Sequence, residues 1–323
     1  MKAAVLHKLG EAPRYGEFPD PIPQNSDQLL IHVKAASVKN LDKGRASGTH
    51  YASYEKLPEV VGIDGVGTLE DGTRVYATGI TGMIAEKALI RKDKYTPLPK
   101  YIDDETAAAL PNAVMGAALA LRYRGEVKPG DTVLINGATG VTGQVAVQIA
   151  KHYGAQRVIA TGRNQESLHT LLDLGADEII SLKEDEESII RQLKAAHGRS
   201  RINAVIDYTW GHPAEMILNA LKGGGLNNVT GKVRFVTVGS MAGEHIQLSS
   251  GLLRSSAIEI VGSGFGSIPQ EAMDKLPGEI LPEMLQLAAD KKLRIETVTA
   301  PLKEVETAWH EHIPSGKRLV IMI

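Results

Sequence analysis

The chain has 323 residues, 43% of them apolar and 23% charged, with a net charge of −2 and no cysteine. That length suits two domains or one large one, and the composition is that of a globular protein rather than a disordered or fibrous one. No global basic field draws the chain to nucleic acid or anionic lipid, and disulfides, thiolate metal sites and cysteine nucleophiles are excluded together.

In chain order, the opening "MKAAVLHKLGEAPRYG" holds too short an apolar run for a signal peptide. The first hundred residues carry short β-branched runs, "KAAVLH", "QLLIHVKAA", "VVGIDGVGTL" and "RVYATGI", separated by turn residues. They predict an antiparallel, barrel-like β domain. "DDETAAALPNAVMGAALALRYRG" then shows helical spacing and bridges to the next domain; its Pro111 and Asn112 keep it short of a membrane span. From Asp131 strands and helices alternate. The strands are "TVLIN", "RVIAT", "EIISL", "NAVIDY", "VRFVTV" and "IEIVGS"; the helices are Gly143–Tyr153, Glu166–Leu174, Asp185–Ala196 and Pro213–Leu221. Gly175 suits the left-handed position past the second helix. Such alternation predicts a parallel sheet covered on both faces. "KEDEES" reads as a solvated helix start, "KGGGLNNVTGK" as a surface loop, and the tail as a helix pair with a final strand, "KRLVIMI".

The stretch "LINGATGVTGQVAVQIA" runs from a strand through small residues into a helix. Anchored on Gly140 and Gly143 it reads Ala-x-Gly-x-x-Gly, with Ala138, Thr139, Gly140, Val141, Thr142 and Gly143 forming the bend. Ala138 is expected to permit the tight turn, Gly140 to let a pyrophosphate approach the backbone, and Gly143 to let the helix pack closely. Free N–H groups at the helix start would hold the phosphates. A strand before, a helix after and a βαβ series beyond are the context that gives this pattern meaning. About twenty residues on, a dinucleotide site for NAD carries an acid for the ribose hydroxyls. Here "VIATGRNQES" has none: Gly162 opens space, Arg163 supplies a cation, and Asn164 follows. A guanidinium grips a 2′-phosphate where a carboxylate would repel it, so NADP(H) is favoured over NAD(H).

With a β-rich domain ahead of this turn, the chain resembles the medium-chain dehydrogenase/reductase superfamily, and within it the zinc-free, zeta-crystallin-like quinone oxidoreductases. The motifs carrying the resemblance are "MKAAVLHKLG", "AASVKNLDKGRASG", "VVGIDGVGTLEDGTRVYA", "VKPGDTVLINGATGVTGQVAVQIAK", "LGADEIISL" and "GKRLVIMI". Short-chain reductases fit less well: their turn lies near the N-terminus, and no tyrosine here has a lysine four positions later. The resemblance implies an α/β fold, a Rossmann-type doubly wound parallel sheet (116–265) plus a GroES-like β-rich catalytic domain (1–115 and 266–323). Zinc-dependent members need a Cys near "AASVKN" and a Gly-His-Glu near "GIDG"; here Ile63 stands for the histidine and there is no cysteine. No zinc is therefore expected, and His310 and His312 read as surface or packing residues.

Where the branch reads Asn-Pro-x-Asp, with that Asn and Asp near the nicotinamide and substrate, the resemblance makes Asp42 a candidate catalytic residue; aligned on it, this chain has Lys39 in place of the Asn, with Asn40 shifted by one. Asn40 facing the cofactor, Lys39 offering a cation to a carbonyl oxygen, and a solvent lysine beside a structural asparagine all remain open. Tyr51 and Tyr54 are either substrate walls or packing. Strand ends at the carboxyl edge of the sheet select Tyr208, Val238, Gly239, Ser240, Ser263 and Phe265 for the cofactor, and Lys317 matches a basic position near the 2′-phosphate.

The resemblance implies hydride transfer from NADPH to a quinone or an α,β-unsaturated carbonyl. The acceptor oxygen would be stabilised by donors such as Asn40, Lys39 or a tyrosine hydroxyl, with the proton taken from water. The alternative is a non-catalytic NADPH-binding redox sensor or structural protein. Nucleic-acid and membrane partners are not expected. A cytoplasmic homodimer, paired through "AIEIVGSG", is.

Overall fold

The computed structural model describes residues 1–223, 231–264 and 266–323. The chain divides into two compact units, Met1–Pro111 with Lys275–Ile323, and Asn112–Asp274; the borders expected from sequence lie at 115/116 and 265/266. Residues 224–230 of the expected surface loop and the candidate Phe265 lie outside the described residues.

The first unit begins with β1 (Lys2–Leu6), β2 (Arg14–Glu17), β3 (Gln28–Val38), α1 (Asn40–Ser47), β4 (Glu59–Val60), β5 (Asp64–Thr68), β6 (Arg74–Gly79) and β7 (Lys87–Pro97). β1 pairs antiparallel with β2 and β4 in a small sheet. The larger sheet runs Glu296–Pro301, Lys317–Met322, β3, β5, β6, β7, and β7 returns to pair with β3, closing the last four strands into a barrel. β3 can do this because its eleven residues serve three partners in turn: Gln28–His32 pair with β7, His32–Ala35 with β5, and Ala35–Val38 with the final strand. Its inward residues Ile31, Val33 and Ala35 alternate with exposed His32 and Lys34, the period-2 pattern of a strand with one wet face. Ile31 and Val33 pack with Leu6, Val75, Ile84, Ile90, Trp309 and Leu319 in the core of this unit. The expected final strand forms as Lys317–Met322, and the tail adds one strand that was not expected, Glu296–Pro301, paired parallel with it.

In the second unit, the helix α2 (Asp104–Val114), which crosses the division, continues into a wider π-helical run, Met115–Arg124. Then follow β8 (Thr132–Asn136), α3 (Val141–His152), β9 (Arg157–Gly162), α4 (Gln165–Asp173), β10 (Glu178–Ser181), α5 (Glu186–Arg199), β11 (Ile202–Asp207), α6 (Gly211–Ala220), β12 (Val233–Thr237) and β13 (Ile258–Gly262). All six predicted strands and all four predicted helices form, and a short helix, Ser250–Ser255, joins them. Every strand pairing is parallel and the order is β10-β9-β8-β11-β12-β13, the doubly wound order with its switch point between β8 and β11. Leu134, Ile159, Val205 and Phe235 are sealed in its core, each contributing about 1.5–3 kcal/mol by burial. α4 and α5 are capped by Asn164 and Asp185, which accept the N–H of Ser167 and Ser188, and Gly175 has φ +105° just past α4, as its sequence position predicts.

Candidate active site and cofactor turn

The glycine turn lies at the carboxyl edge of β8, beside the switch point. Gly137, with φ +77°, makes the left-handed step out of the strand. The expected role of Ala138 therefore belongs to the residue before it; Ala138 is fully buried and its N–H donates to Thr161 O at 2.8 Å. Gly143 is required by contact: a Cβ there would stand 2.6 Å from both Ala138 Cα and Gly137 O. Gly140 differs. A Cβ on it would meet only Gly137 O, at 3.7 Å, so its outer face is open. Gly140 is the N-cap of α3, and no side chain caps that helix. Its first-turn N–H groups are thus left for an anion at the positive end of the helix dipole.

Gly162 ends β9, but the space it makes is not vacant. Thr139 fills it, and a Cβ at 162 would lie 2.4 Å from Thr139 Cγ2. Arg163 follows directly, exposed and with no ion-pair partner among the described residues. Asn164 spends its side-chain oxygen on Ser167 N–H as the α4 cap. These features fit a dinucleotide: open glycine, uncapped helix start and free guanidinium are what a diphosphate and an extra phosphate need.

A buried polar group behind the turn was not read from the sequence. Asn136 Nδ2 donates to Asp207 Oδ1 at 2.8 Å and to Thr209 Oγ1 at 2.7 Å, and Asn136 Oδ1 accepts the Thr161 hydroxyl. Three adjacent strands, β8, β9 and β11, are thereby tied at their carboxyl ends. Asp207 also accepts the N–H groups of Thr209 and Trp210, holding Trp210 at φ 53°, a strain of roughly 1–3 kcal/mol. Burial raises the Asp207 carboxyl above its ordinary value, opposed by these hydrogen bonds. The signal was present: "TVLIN" and "NAVID" are apolar strands that each end on a polar residue.

The remaining strand-end candidates gather at the same edge. Tyr208 donates its hydroxyl to Gly116 O at 3.1 Å, and burial raises its pKa. Thr142 faces Gly116, where a Cβ would stand 2.9 Å from its Cγ2. Val238 and Gly239 turn their N–H groups back to Asp207 O, Ser240 donates to Glu244, and Ser263 N–H donates to Thr237 O. Gly239 packs on Tyr208, a Cβ there meeting Tyr208 O at 2.8 Å. Lys317 belongs to the first unit, on its final strand, and pairs with Glu296 at 3.2 Å.

In the first unit Lys39 is 3% exposed, so the solvent lysine is replaced by a buried one. Its Nζ lies 2.6 Å from Asp64 Oδ1 and 2.8 Å from Ser37 O. An ammonium so engaged is not aimed at an acceptor oxygen, which corrects that expectation as well. Burial alone would lower its pKa, but Asp42 and Asp64 outweigh it and hold the group above its ordinary value. Asp42 is fully buried, accepting the N–H groups of Lys39 and Ile63. Asn40, by contrast, is exposed at the start of α1. Tyr51 is 90% exposed and leans on His50 with ring centroids 4.1 Å apart. Tyr54 packs against the core with Arg45 over its ring, and burial pushes its hydroxyl up to about 12. His310 and His312 are exposed, and among the described residues no three His, Asp or Glu side chains group as metal ligands.

Comparison with known proteins agrees with this architecture. Residues 141–278 match the family model described as zinc-binding dehydrogenase. A probable NADPH-dependent quinone reductase of Emericella nidulans is 29% identical over the whole of both chains. The quinone oxidoreductase of Sus scrofa is 32% identical over 74% of this chain and 72% of its own. A quinone oxidoreductase from Thermus thermophilus, solved also with NADPH, superposes with TM-score 0.81 at 28% identity over the whole of both chains. The chain belongs to the quinone oxidoreductase branch of the medium-chain dehydrogenase/reductase superfamily.

Proposed function

We propose that the protein is an NADPH-dependent oxidoreductase that reduces quinones or α,β-unsaturated carbonyls without a metal. The observation that carries the reading is the open Gly140 bend with the exposed Arg163 one residue past the strand that packs on it. The bound nicotinamide supplies a hydride, and such acceptors take it at carbon or oxygen of a conjugated system without Lewis-acid help. The chain's own part is to hold and orient. The first-turn N–H groups of α3 take the diphosphate and the Arg163 guanidinium takes the 2′-phosphate. Asn40 and Tyr51, exposed on and after α1, are the donors for the charge that develops on the acceptor oxygen. Water provides the proton. The buried clusters offer no acid for that step, since Lys39, Asp42 and Asp207 are all committed to internal hydrogen bonds.

NADPH oxidation followed against quinones, enones and simple ketones tests the assignment. Turnover of quinones or enones with NADPH preferred over NADH supports it; fast turnover of simple ketones alone rejects it. Tight NADPH binding without turnover across the panel would instead mark the non-catalytic alternative.

We further propose a cytoplasmic homodimer. The lack of cysteine suits a reducing compartment, and no described helix is long and apolar enough to cross a membrane. β13 ends the parallel sheet with one edge unpaired among the described residues and carries half-exposed Ile258 and Ile260, a surface suited to strand pairing between copies. Light scattering on the purified protein tests the dimer.

A further inference from the structure

The Lys39 ammonium sits inside a cage of four oxygens. Asp64 Oδ1 is at 2.6 Å, Ser37 O at 2.8 Å, Ser37 Oγ at 3.2 Å and Asp42 Oδ2 at 3.2 Å. The cage is sealed: Ser37 and Asp42 are 0% exposed, Asp64 2% and Lys39 3%. Tyr76 donates its hydroxyl to the other Asp64 oxygen at 3.0 Å, and the buried Arg318 adds a second positive charge whose field reaches both carboxylates. Two carboxylates cannot be taken out of water without compensating cations, and here one of the two is threaded into the centre of the cage by the chain.

We propose that this cage is a monovalent-cation site whose ion is the chain's own Lys39 ammonium, and that by filling it Lys39 holds the start of α1, with Asn40, against the end of β3. The donor set and distances select the class of cation. Zinc takes nitrogen, sulfur or carboxylate oxygen at about 2.0–2.3 Å and calcium six to eight oxygens at about 2.3–2.6 Å. Four oxygens at 2.6–3.2 Å instead fit an ammonium or an ion of potassium size. The positioning follows from Asp42. One of its oxygens takes the Lys39 N–H and the other the Ile63 N–H, so the same carboxylate that faces the ammonium joins the end of β3, the start of α1 and the segment before β5. Without the cation, two buried carboxylates repel each other across that junction. The inference concerns the cation and the fold, and it stands whatever substrate the protein reduces.

Cation-specific rescue tests it. Lys39→Ala opens the cage and the channel of the lost side chain; Lys39→Met removes the charge while filling the channel. Thermal unfolding of both variants and of the wild type is compared in ammonium chloride and in tetramethylammonium chloride, an ion too large to enter, at matched ionic strength. Lys39→Ala is expected to melt well below the wild type in tetramethylammonium and to recover by several degrees in ammonium. Wild type and Lys39→Met are expected to give the same value in both salts. Equal melting of Lys39→Ala in the two salts overturns the proposal. Should Lys39→Ala not fold, the decision passes to Lys39→Met against Lys39→Met/Asp64→Asn. A pair that melts higher, or is soluble where the single variant is not, supports a compensating cation. A pair no better than the single variant, or two insoluble proteins, overturns it.

Discussion

The Thr139 side chain occupies the place where a side chain on Gly162 would have to go: a Cβ at 162 would stand 2.4 Å from Thr139 Cγ2 and 3.0 Å from its Oγ1. The glycine at the end of the second Rossmann strand is thus bound to a residue in the middle of the cofactor turn. Gly162→Ala must displace Thr139, with an expected cost of about 1–3 kcal/mol in stability and weaker NADPH binding. Adding Thr139→Ala should recover most of the stability. Thermal unfolding of the single and double variants checks this, and equal losses in both would disprove the contact.

Gly140 and Gly143 are expected to fail in different ways. A Cβ at 143 collides with backbone at 2.6 Å and has no flexible neighbour to move, so Gly143→Ala should lose stability at the upper end of the overpacking range, about 3 kcal/mol. A Cβ at 140 meets only Gly137 O at 3.7 Å. Gly140→Ala should therefore melt within about 0.5 kcal/mol of the wild type, while its NADPH affinity falls at least about 10-fold, or 1.4 kcal/mol. Calorimetric titration beside thermal unfolding separates the two effects.

Arg163 has no protein partner to lose among the described residues, so Arg163→Ala should leave stability unchanged. Removing a charge-assisted hydrogen-bonded pair to the 2′-phosphate costs about 1.5–3 kcal/mol, roughly 10- to 100-fold in NADPH affinity, with NADH binding unaffected. Dissociation constants for both nucleotides give the ratio; an equal loss for both would remove Arg163 from the 2′-phosphate.

Alkaline pH should destabilise the first unit. Burial raises the Tyr54 hydroxyl to about 12, against about 10 in the unfolded chain. Between these values the unfolded state has released a proton that the native state keeps, so stability falls as pH rises. Lys39, raised above its ordinary value by Asp42 and Asp64, acts in the same direction: its contribution is present below about 10.4 and is lost above it. Melting temperature measured from about pH 9 to 11.5 should decline, and Tyr54→Phe should flatten the decline. Identical slopes for the two proteins would refute the role of Tyr54.

How far the residues could be read depended on the range of the interactions behind them. The six parallel strands were legible because strands buried on both faces must be apolar runs, and "TVLIN" through "IEIVGS" are such runs. β7 and Glu296–Pro301 are not legible in the same way: the middle of β7 is "RKDK", exposed, and the strand is completed by β3 and β6 rather than by its own pattern. The glycine turn was legible as a motif, yet its left-handed step lies at Gly137 and its open face at Gly140, and φ angles are not written in residue spacing. Phe265 lies outside the described residues, and Lys317 stands on a strand of the first unit, paired with Glu296.

The sequence by itself determined what local chemistry and periodicity can carry: two domains, a parallel sheet, a phosphate-type turn, no cysteine ligand, and an arginine where an acid would specify NAD. Only the tertiary structure decided among the readings left open at Lys39, because its partner Asp64 is 25 residues away and Tyr76 and Arg318 farther still. The same holds for Gly162, whose space is filled by Thr139 from another strand–helix turn. A charge's burial and a glycine's free space are properties of what the rest of the chain brings alongside, and those neighbours exist only once the strands have paired.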